Sequence, residues 1–177
     1  MADKEQKSNQ AMAEIIFPVP LSFLQINENI TVTTNSDFIK SKKKMIEQAF
    51  KFHSLGKISD AAKYYQYCIN QGCEDYRVFT NYGSVLKDLG KLQEAEFSYR
   101  KAIKSNPNFA EAYFSLSNLQ YSNASKIWKD QLFSDSILNN KLPKEQVAFY
   151  FARANVLHKG KKYDQSSRYL QMANKLK

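Results

Sequence analysis

Glycine and proline are scarce in this chain, at five and four of 177 residues. Folds with many strands need turn residues, so the shortage favours helices joined by short turns. No apolar stretch approaches the roughly 20 residues of a membrane helix. The most apolar run, Ile15–Leu24, contains Pro18 and Pro20, and the residues before it have no excess of bases that would indicate a signal peptide. We therefore expect a cytoplasmic protein without a membrane span.

Cysteine and histidine are also rare, with two residues of each. Cys68 and Cys73 form a single pair, and neither His53 nor His158 has acids or cysteines at ligand spacing, so core or loop thiols explain the pair better than a metal site. Phosphate-loop, HExxH and GxSxG motifs are missing. The sequence thus predicts no catalytic residue, no metal and no cofactor, in a protein that is not an enzyme by itself.

Acidic residues are few relative to the basic ones, and the net charge is +9. Residues 1–41 hold three lysines against five acids, so the remaining residues carry +11. Such a balance favours acidic partners and faster encounter with them. The lysines are spread along the chain and do not form one basic stripe, which makes nucleic acid an unlikely partner.

A repeated pattern of small and aromatic residues predicts the architecture. In residues 76–108 its positions are Phe79, Tyr82, Gly83, Leu86, Gly90, Ala95, Tyr99, Ala102 and Pro107. This segment resembles a tetratricopeptide repeat (TPR), a helix–turn–helix unit of about 34 residues, along its whole length. One period earlier, the matching positions are Met45, Ala49, Phe52, Gly56, Ala61, Tyr65 and Cys68.

Two further copies follow, and the first of them departs from the pattern. Ala110 opens a third copy with Tyr113, Leu116 and Ser117, but Lys129 stands where a small residue is expected. We predict that residues 122–143 still form one helix, capped near Ser122 to Ser125. A fourth copy runs from Val147 to the C-terminus, with Tyr150, Ala154, Leu157, Tyr163, Ser166, Leu170 and Ala173 at the matching positions.

The predicted fold is therefore an all-α TPR helix-turn-helix solenoid of about four repeats, the third degenerate, behind an irregular N-terminal arm. Residues 42–177 make the array, divided as 42–75, 76–109, 110–146 (degenerate) and 147–177. Residues 1–41 form the arm, which is either disordered or loosely docked through Ile15–Leu24 in the groove of the array. The oligomeric state stays open.

The resemblance also implies where a partner binds, because the first helices of successive TPRs line a concave groove. The partner-binding residues predicted there are Lys43, Phe50, Arg77, Thr80, Asn81, Ser84, Lys87, Phe114, Asn118 and Tyr121, with Ile46 and Ser115 beside them. Amides and hydroxyls suit a peptide backbone, and aromatic rings suit apolar side chains. We therefore expect a protein or peptide partner that is acidic or extended.

Two TPR subfamilies give more specific comparisons. The clamp of chaperone-binding TPRs needs lysine, asparagine and arginine residues at set positions, of which only Asn81 is present, so the chain does not resemble that clamp. The segment from Tyr150 to Lys177 is similar to the last TPR before the catalytic domain of bacterial TPR–sulfotransferase proteins, and the likeness extends over most of residues 42–177. No catalytic residue of those enzymes is present.

The leading hypothesis for the function is a non-enzymatic interaction scaffold. The alternative is an accessory or truncated TPR half of a sulfotransferase-type enzyme.

Overall fold

The computed structural model describes residues 35–119 and 126–177, with backbone alone for residues 35–40. The predictions for the rest of the N-terminal arm, for the helix cap near Ser122 to Ser125 and for Tyr121 lie outside the described residues. Within the described ranges the chain is helical, without a strand, which confirms the predicted fold class. The helices are α1 Asn35–Ser54, α2 Ile58–Asn70, α3 Tyr76–Asp88, α4 Leu92–Ser105, α5 Ala110–Asn118, α6 Ile127–Phe133, α7 Pro143–Lys159 and α8 Tyr163–Lys175, with one 3₁₀ turn at Asp135–Leu138.

In the first two helix pairs, the first helix ends in the same way. Gly56 follows α1 and Gly90 follows α3, with φ of 69° and 75°. Only glycine adopts this left-handed conformation without a steric penalty. The next amide then donates to the carbonyl five residues earlier, from Lys57 N to Phe52 O at 2.9 Å and from Lys91 N to Leu86 O at 2.8 Å. These bonds satisfy carbonyls at the helix end and turn the chain into the second helix.

Gly83 lies where α3 crosses α4. A Cβ atom at this position would lie 2.6 Å from Cε1 and 2.8 Å from Cδ1 of Tyr99. Since Tyr99 is 1% exposed, its ring has little room to move aside. The small residue is therefore required by the packing of the second repeat, as the pattern of residue sizes predicts.

Replacing Gly83 with leucine is expected to lower the free energy of unfolding by about 2 kcal/mol, because overpacking outweighs the gain in helix propensity. The melting temperature followed by circular dichroism should fall by about 4–8 °C. Gly160→Ala is the control, since its Cβ would meet nothing nearer than the Leu157 carbonyl at 3.4 Å. Equal melting temperatures for Gly83→Leu and the wild type would contradict this assignment of the crossing.

The buried side chains form two clusters along the array. The first is centred on Tyr65 and joins α1, α2 and α3 through Ala49, Ala61 and Val78. The second runs from α3 to α7 and has Tyr99, Tyr113 and Phe149 among its largest members. Partly buried Ile69 and Tyr82 pack against both clusters. Neighbouring repeats therefore share core residues, as expected when one helix pair cannot bury its apolar face alone.

The third repeat corrects one prediction. The single helix expected over residues 122–143 is wrong, because α6 ends at Phe133 and Ser134 is extended, with φ −66° and ψ 137°. A 3₁₀ turn follows. The backbone carbonyls at this break accept hydrogen bonds from the Arg153 side chain of α7, at 2.8 Å to Leu132 and 2.9 Å to Ser134. An arginine from the next repeat thus stabilises the end of the shortened helix.

The shortened α6 leaves α5 and α7 in extensive contact. The ring centroids of Tyr113 and Phe149 are 5.6 Å apart, and Asn155 donates to Asn118 at 2.9 Å. Further along both helices, Lys159 donates to the carbonyl of Leu119. Contacts that ascend together along two helices show that α5 and α7 are parallel. None of the described helices is long and apolar enough to cross a membrane.

Candidate protein-binding surface

One set of side chains recurs on α1, α3, α5 and α7, the first helices of the four repeats. Each of these helices has a buried small residue, namely Ala49, Gly83, Ser117 and Ala154. The residues one position after and three positions before it lie on the same side of the helix. These eight residues are called the first-helix face: Phe50, Ser84, Asn118 and Asn155, with Ile46, Thr80, Phe114 and Phe151.

Two tyrosines from the second helices hold the first-helix face together. The Tyr99 hydroxyl of α4 lies 3.2 Å from the Ser84 hydroxyl of α3. Burial raises the pKa of Tyr99, and hydrogen bonding to Ser84 and to Ser115 of α5 partly offsets the rise. Tyr99 therefore links α3 to α5 below the surface and fixes the spacing of the two helices.

Tyr65 of α2 links α1 to α3 in the same way that Tyr99 links α3 to α5. Its ring centroid lies 5.9 Å from that of Phe50 and 6.3 Å from that of Tyr82, and its hydroxyl lies 3.4 Å from His53 Nδ1. Burial is the main cause that raises the pKa of Tyr65 well above its ordinary value. Phe50 is consequently half-buried and shows only part of its ring at the surface.

The structure places the predicted groove residues unequally. Lys43 and Lys87 are exposed, and Asn118 and Phe114 are also exposed, Phe114 to 36%. Asn81 and Ser84 are half-buried, and Asn81 donates to the carbonyl of Arg77 at 2.9 Å. These polar groups partly serve the fold, which leaves Phe114 and Asn118 of α5 as the best presented of the uncharged residues.

Thr80 and Arg77 differ most from what a binding role requires. Thr80 is 2% exposed and its hydroxyl donates to the Tyr76 carbonyl at 2.8 Å. Arg77 is exposed, but its guanidinium donates to both carboxylate oxygens of Asp75, the residue that caps α3. That contact is the largest cause that lowers the pKa of Asp75. Arg77 therefore contributes to the start of its own helix.

The sequence interpretation missed two residues of the first-helix face, both on α7. The ring centroid of Phe151 lies 6.3 Å from that of Phe114 on α5. Asn155 donates through Nδ2 to Ser117 Oγ at 3.1 Å and to Asn118 Oδ1 at 2.9 Å. The sequence contains a signal that could have identified Asn155. Ser84, Asn118 and Asn155 directly follow the aligned small residues Gly83, Ser117 and Ala154.

Comparison with known proteins supports the repeat interpretation. Residues 83–123 match the family model for the TPR repeat. This part of the chain is therefore similar to a TPR. The match begins at Gly83 in α3 and includes the whole of α4 and α5.

Two solved structures are also similar to this chain. One is the TPR2B domain in a complex described as "TPR2B-domain:pHsp70-complex of yeast Sti1", with 20% identity over 77% of this chain and 98% of that chain, and a TM-score of 0.45. The other is the type III secretion translocator chaperone SycD of Yersinia enterocolitica in an alternative dimer, with 17% identity over 85% and 96% and a TM-score of 0.46. No curated protein matches the sequence significantly. The resemblance of the C-terminal segment to TPR–sulfotransferase proteins stays a prediction.

Among the described residues, no group of three or more histidine, cysteine and acidic side chains could hold a metal ion. Cys68 and Cys73 are both free and buried. Burial is the main cause that raises the pKa of the Cys68 thiol to about 11, with Cys73 contributing further. Because a thiol reacts as its thiolate, this position disfavours a nucleophilic role.

Proposed function

We propose that the chain is a non-enzymatic scaffold of the cytoplasm that binds an extended peptide or protein segment across the first-helix face of α3, α5 and α7. The observation that supports this most strongly is two adjacent contacts between α5 and α7. The ring of Phe114 lies against that of Phe151, and one helical turn further on the amide of Asn155 donates to that of Asn118. Two buried free cysteines suit a reducing compartment.

The chemistry of this pair suits a peptide. Once Asn155 Nδ2 has donated to Asn118 Oδ1, no described residue is a hydrogen-bond partner of Asn118 Nδ2 or Asn155 Oδ1. As far as the described residues are concerned, the amide group of Asn118 and the carbonyl oxygen of Asn155 therefore remain for a peptide group. The neighbouring phenylalanine rings offer apolar area. Lys87 on α3 is exposed and forms only a long ion pair with Asp88, at 3.8 Å, so it adds a cation that favours an acidic segment.

Affinity capture from native cell extract should test the proposal with two matched double variants. Phe114→Ala with Lys87→Glu changes the first-helix face. Phe97→Ala with Lys104→Glu makes the same chemical changes on α4, where Phe97 is 58% exposed and Lys104 is also exposed. We expect the first variant to retain at least about tenfold less of a partner, since a few central aromatic residues dominate most interfaces, and the second to behave like the wild type.

Both variants must melt close to the wild-type temperature for the comparison to be valid. Equal recovery of the same partners by both would show that the first-helix face is not the binding surface. A partner lost only from the α4 variant would place binding on the second helices instead.

A further inference from the structure

A second surface lies on the other side of α7. A cleft of about 530 Å³ is lined by seven residues of α6, α7, α8 and the loop before α8: Phe133, Leu157, Lys162, Gln165, Arg168, Tyr169 and Met172. We call it the α6–α8 cleft. It occurs where α6 stops early, and Arg153 from the adjoining turn of α7 lies beside it, with its guanidinium 5.8 Å from the ring of Phe133 and 5.5 Å from that of Tyr169.

Arg153 brings an uncompensated positive charge to this cleft. The residue is 3% exposed, and its hydrogen bonds go to the neutral carbonyls of Leu132 and Ser134. No described carboxylate oxygen lies within 4.0 Å of its side-chain nitrogens. A buried cation without a paired anion keeps a positive potential at its surroundings, because water screens it poorly.

The rim of the cleft adds to this potential. Lys162 and Arg168 are both exposed, and neither forms an ion pair with any described residue. No acidic residue belongs to the lining. The surrounding segment, residues 126–177, contains eleven lysines and arginines against four acids, a net +7. Field lines from clustered like charges raise the local concentration of oppositely charged groups.

The walls between these cations are apolar. Met172 is 47% exposed, Leu157 is 8% exposed, and the rings of Phe133 and Tyr169 meet edge to face with centroids 6.2 Å apart. Aromatic and thioether groups adapt well to an inserted apolar side chain. A concave site of this volume with mainly apolar walls and few charged groups is typical of a recognition pocket.

We propose that the α6–α8 cleft binds an acidic segment of a partner protein that inserts an apolar side chain between Phe133, Tyr169 and Met172 while its flanking carboxylates meet Lys162 and Arg168. Charge complementarity determines this choice of occupant, since three cations and no acid surround an apolar pocket. The chemistry does not favour nucleic acid, because the walls combine aliphatic and thioether groups with a short cationic rim and not a continuous basic stripe. This surface is separate from the first-helix face, so the proposal does not depend on the proposed function above.

Fluorescence anisotropy with three labelled synthetic peptides can test the proposal on the full chain. The acidic, apolar peptide EFDELLDFE should bind, whereas ESDESSDSE lacks apolar side chains and KFKKLLKFK reverses the charge. We expect Lys162→Glu with Arg168→Glu to weaken binding of the first peptide at least about tenfold, and Met172→Ser to weaken it about threefold or more. Binding should also weaken as salt screens the rim charges.

Matched controls separate the cleft from general charge and from the first-helix face. Lys44→Glu with Lys51→Glu makes the same charge change at exposed positions of α1 and should bind nearly normally. Phe114→Ala with Lys87→Glu should also leave this peptide bound. The proposal is overturned by equal loss in the α1 control, by equal binding of ESDESSDSE, or by the absence of saturable binding up to about 1 mM. Tighter binding of a short single-stranded RNA than of EFDELLDFE would likewise overturn it and indicate a nucleic-acid surface.

Discussion

The protein is expected to lose a large part of its stability as the pH rises from about 9 to about 11, because its core contains protonated tyrosines. Burial raises the pKa of Tyr113 to about 12 and also raises the pKa values of Tyr65 and Tyr99. All three residues are at most 1% exposed. The same tyrosines ionise near pH 10 once the chain unfolds.

The sign follows from proton binding. Above about pH 10 the unfolded chain has released these protons while the folded chain still holds them, so alkali favours unfolding. The stabilisation is complete below the unfolded pKa and disappears as the pH rises toward the folded pKa values. Each tyrosine contributes a slope of at most about 1.4 kcal/mol per pH unit, so the three contribute at most about 4 kcal/mol per unit. That is a large part of the roughly 5–15 kcal/mol that stabilises most domains.

Urea unfolding followed by far-UV circular dichroism at several alkaline pH values would measure this slope. Tyr113→Phe should reduce it by at most about 1.4 kcal/mol per pH unit, since one buried proton is removed. Tyr163→Phe is the matched control, because Tyr163 is 58% exposed, and it should leave the slope unchanged. Identical slopes for both variants and the wild type would show that the buried tyrosines do not control alkaline unfolding.

The second large effect is expected at Arg153. Arg153→Leu leaves an apolar side chain of moderate size in the buried position. It removes the N–H groups that donate to the Leu132 and Ser134 carbonyls. Losing two charge-assisted hydrogen bonds should lower the free energy of unfolding by about 3 kcal/mol. The melting temperature should then fall by about 6–12 °C.

Arg168→Leu is the control for this variant, because it removes an exposed arginine and should change stability by less than about 0.5 kcal/mol. Arg153→Lys should recover part of the loss, since one ammonium cannot reproduce the fork of a guanidinium. The fluorescence of Trp128, a buried residue of α6, would report local opening of the break separately from global unfolding. A melting temperature for Arg153→Leu within about 1 °C of the wild type would mean that the carbonyls find other partners.

The regular repeats were predictable because their rules are local. A glycine such as Gly90 identifies a turn by its conformational freedom, and a small residue such as Gly83 identifies a close crossing by its size. Both signals are readable from sequence at a fixed spacing. The fold class and the helix pairs of the first two repeats follow from them.

The third repeat could not be predicted in the same way, because its structure depends on a distant residue. The apolar positions from Ile127 to Leu138 suit one continuous helix, but the break at Ser134 is stabilised by Arg153. Nothing in the local pattern indicates a hydrogen bond across about 20 residues. The exposure of the predicted binding residues could not be read from the sequence either. Thr80 and Ser84 have similar hydroxyls, but packing buries Thr80 and leaves Ser84 half-buried.

The contact between α5 and α7 has a consequence for how this array can be altered. Repeat arrays lengthen and shorten most readily when each unit is self-contained, so that one can be duplicated or deleted without harm to the next. The third and fourth units here do not meet that condition, because Asn155, Lys159 and Arg153 of the fourth complete the end of α5 and the break after α6. The two must therefore be inherited, transplanted or engineered as one module.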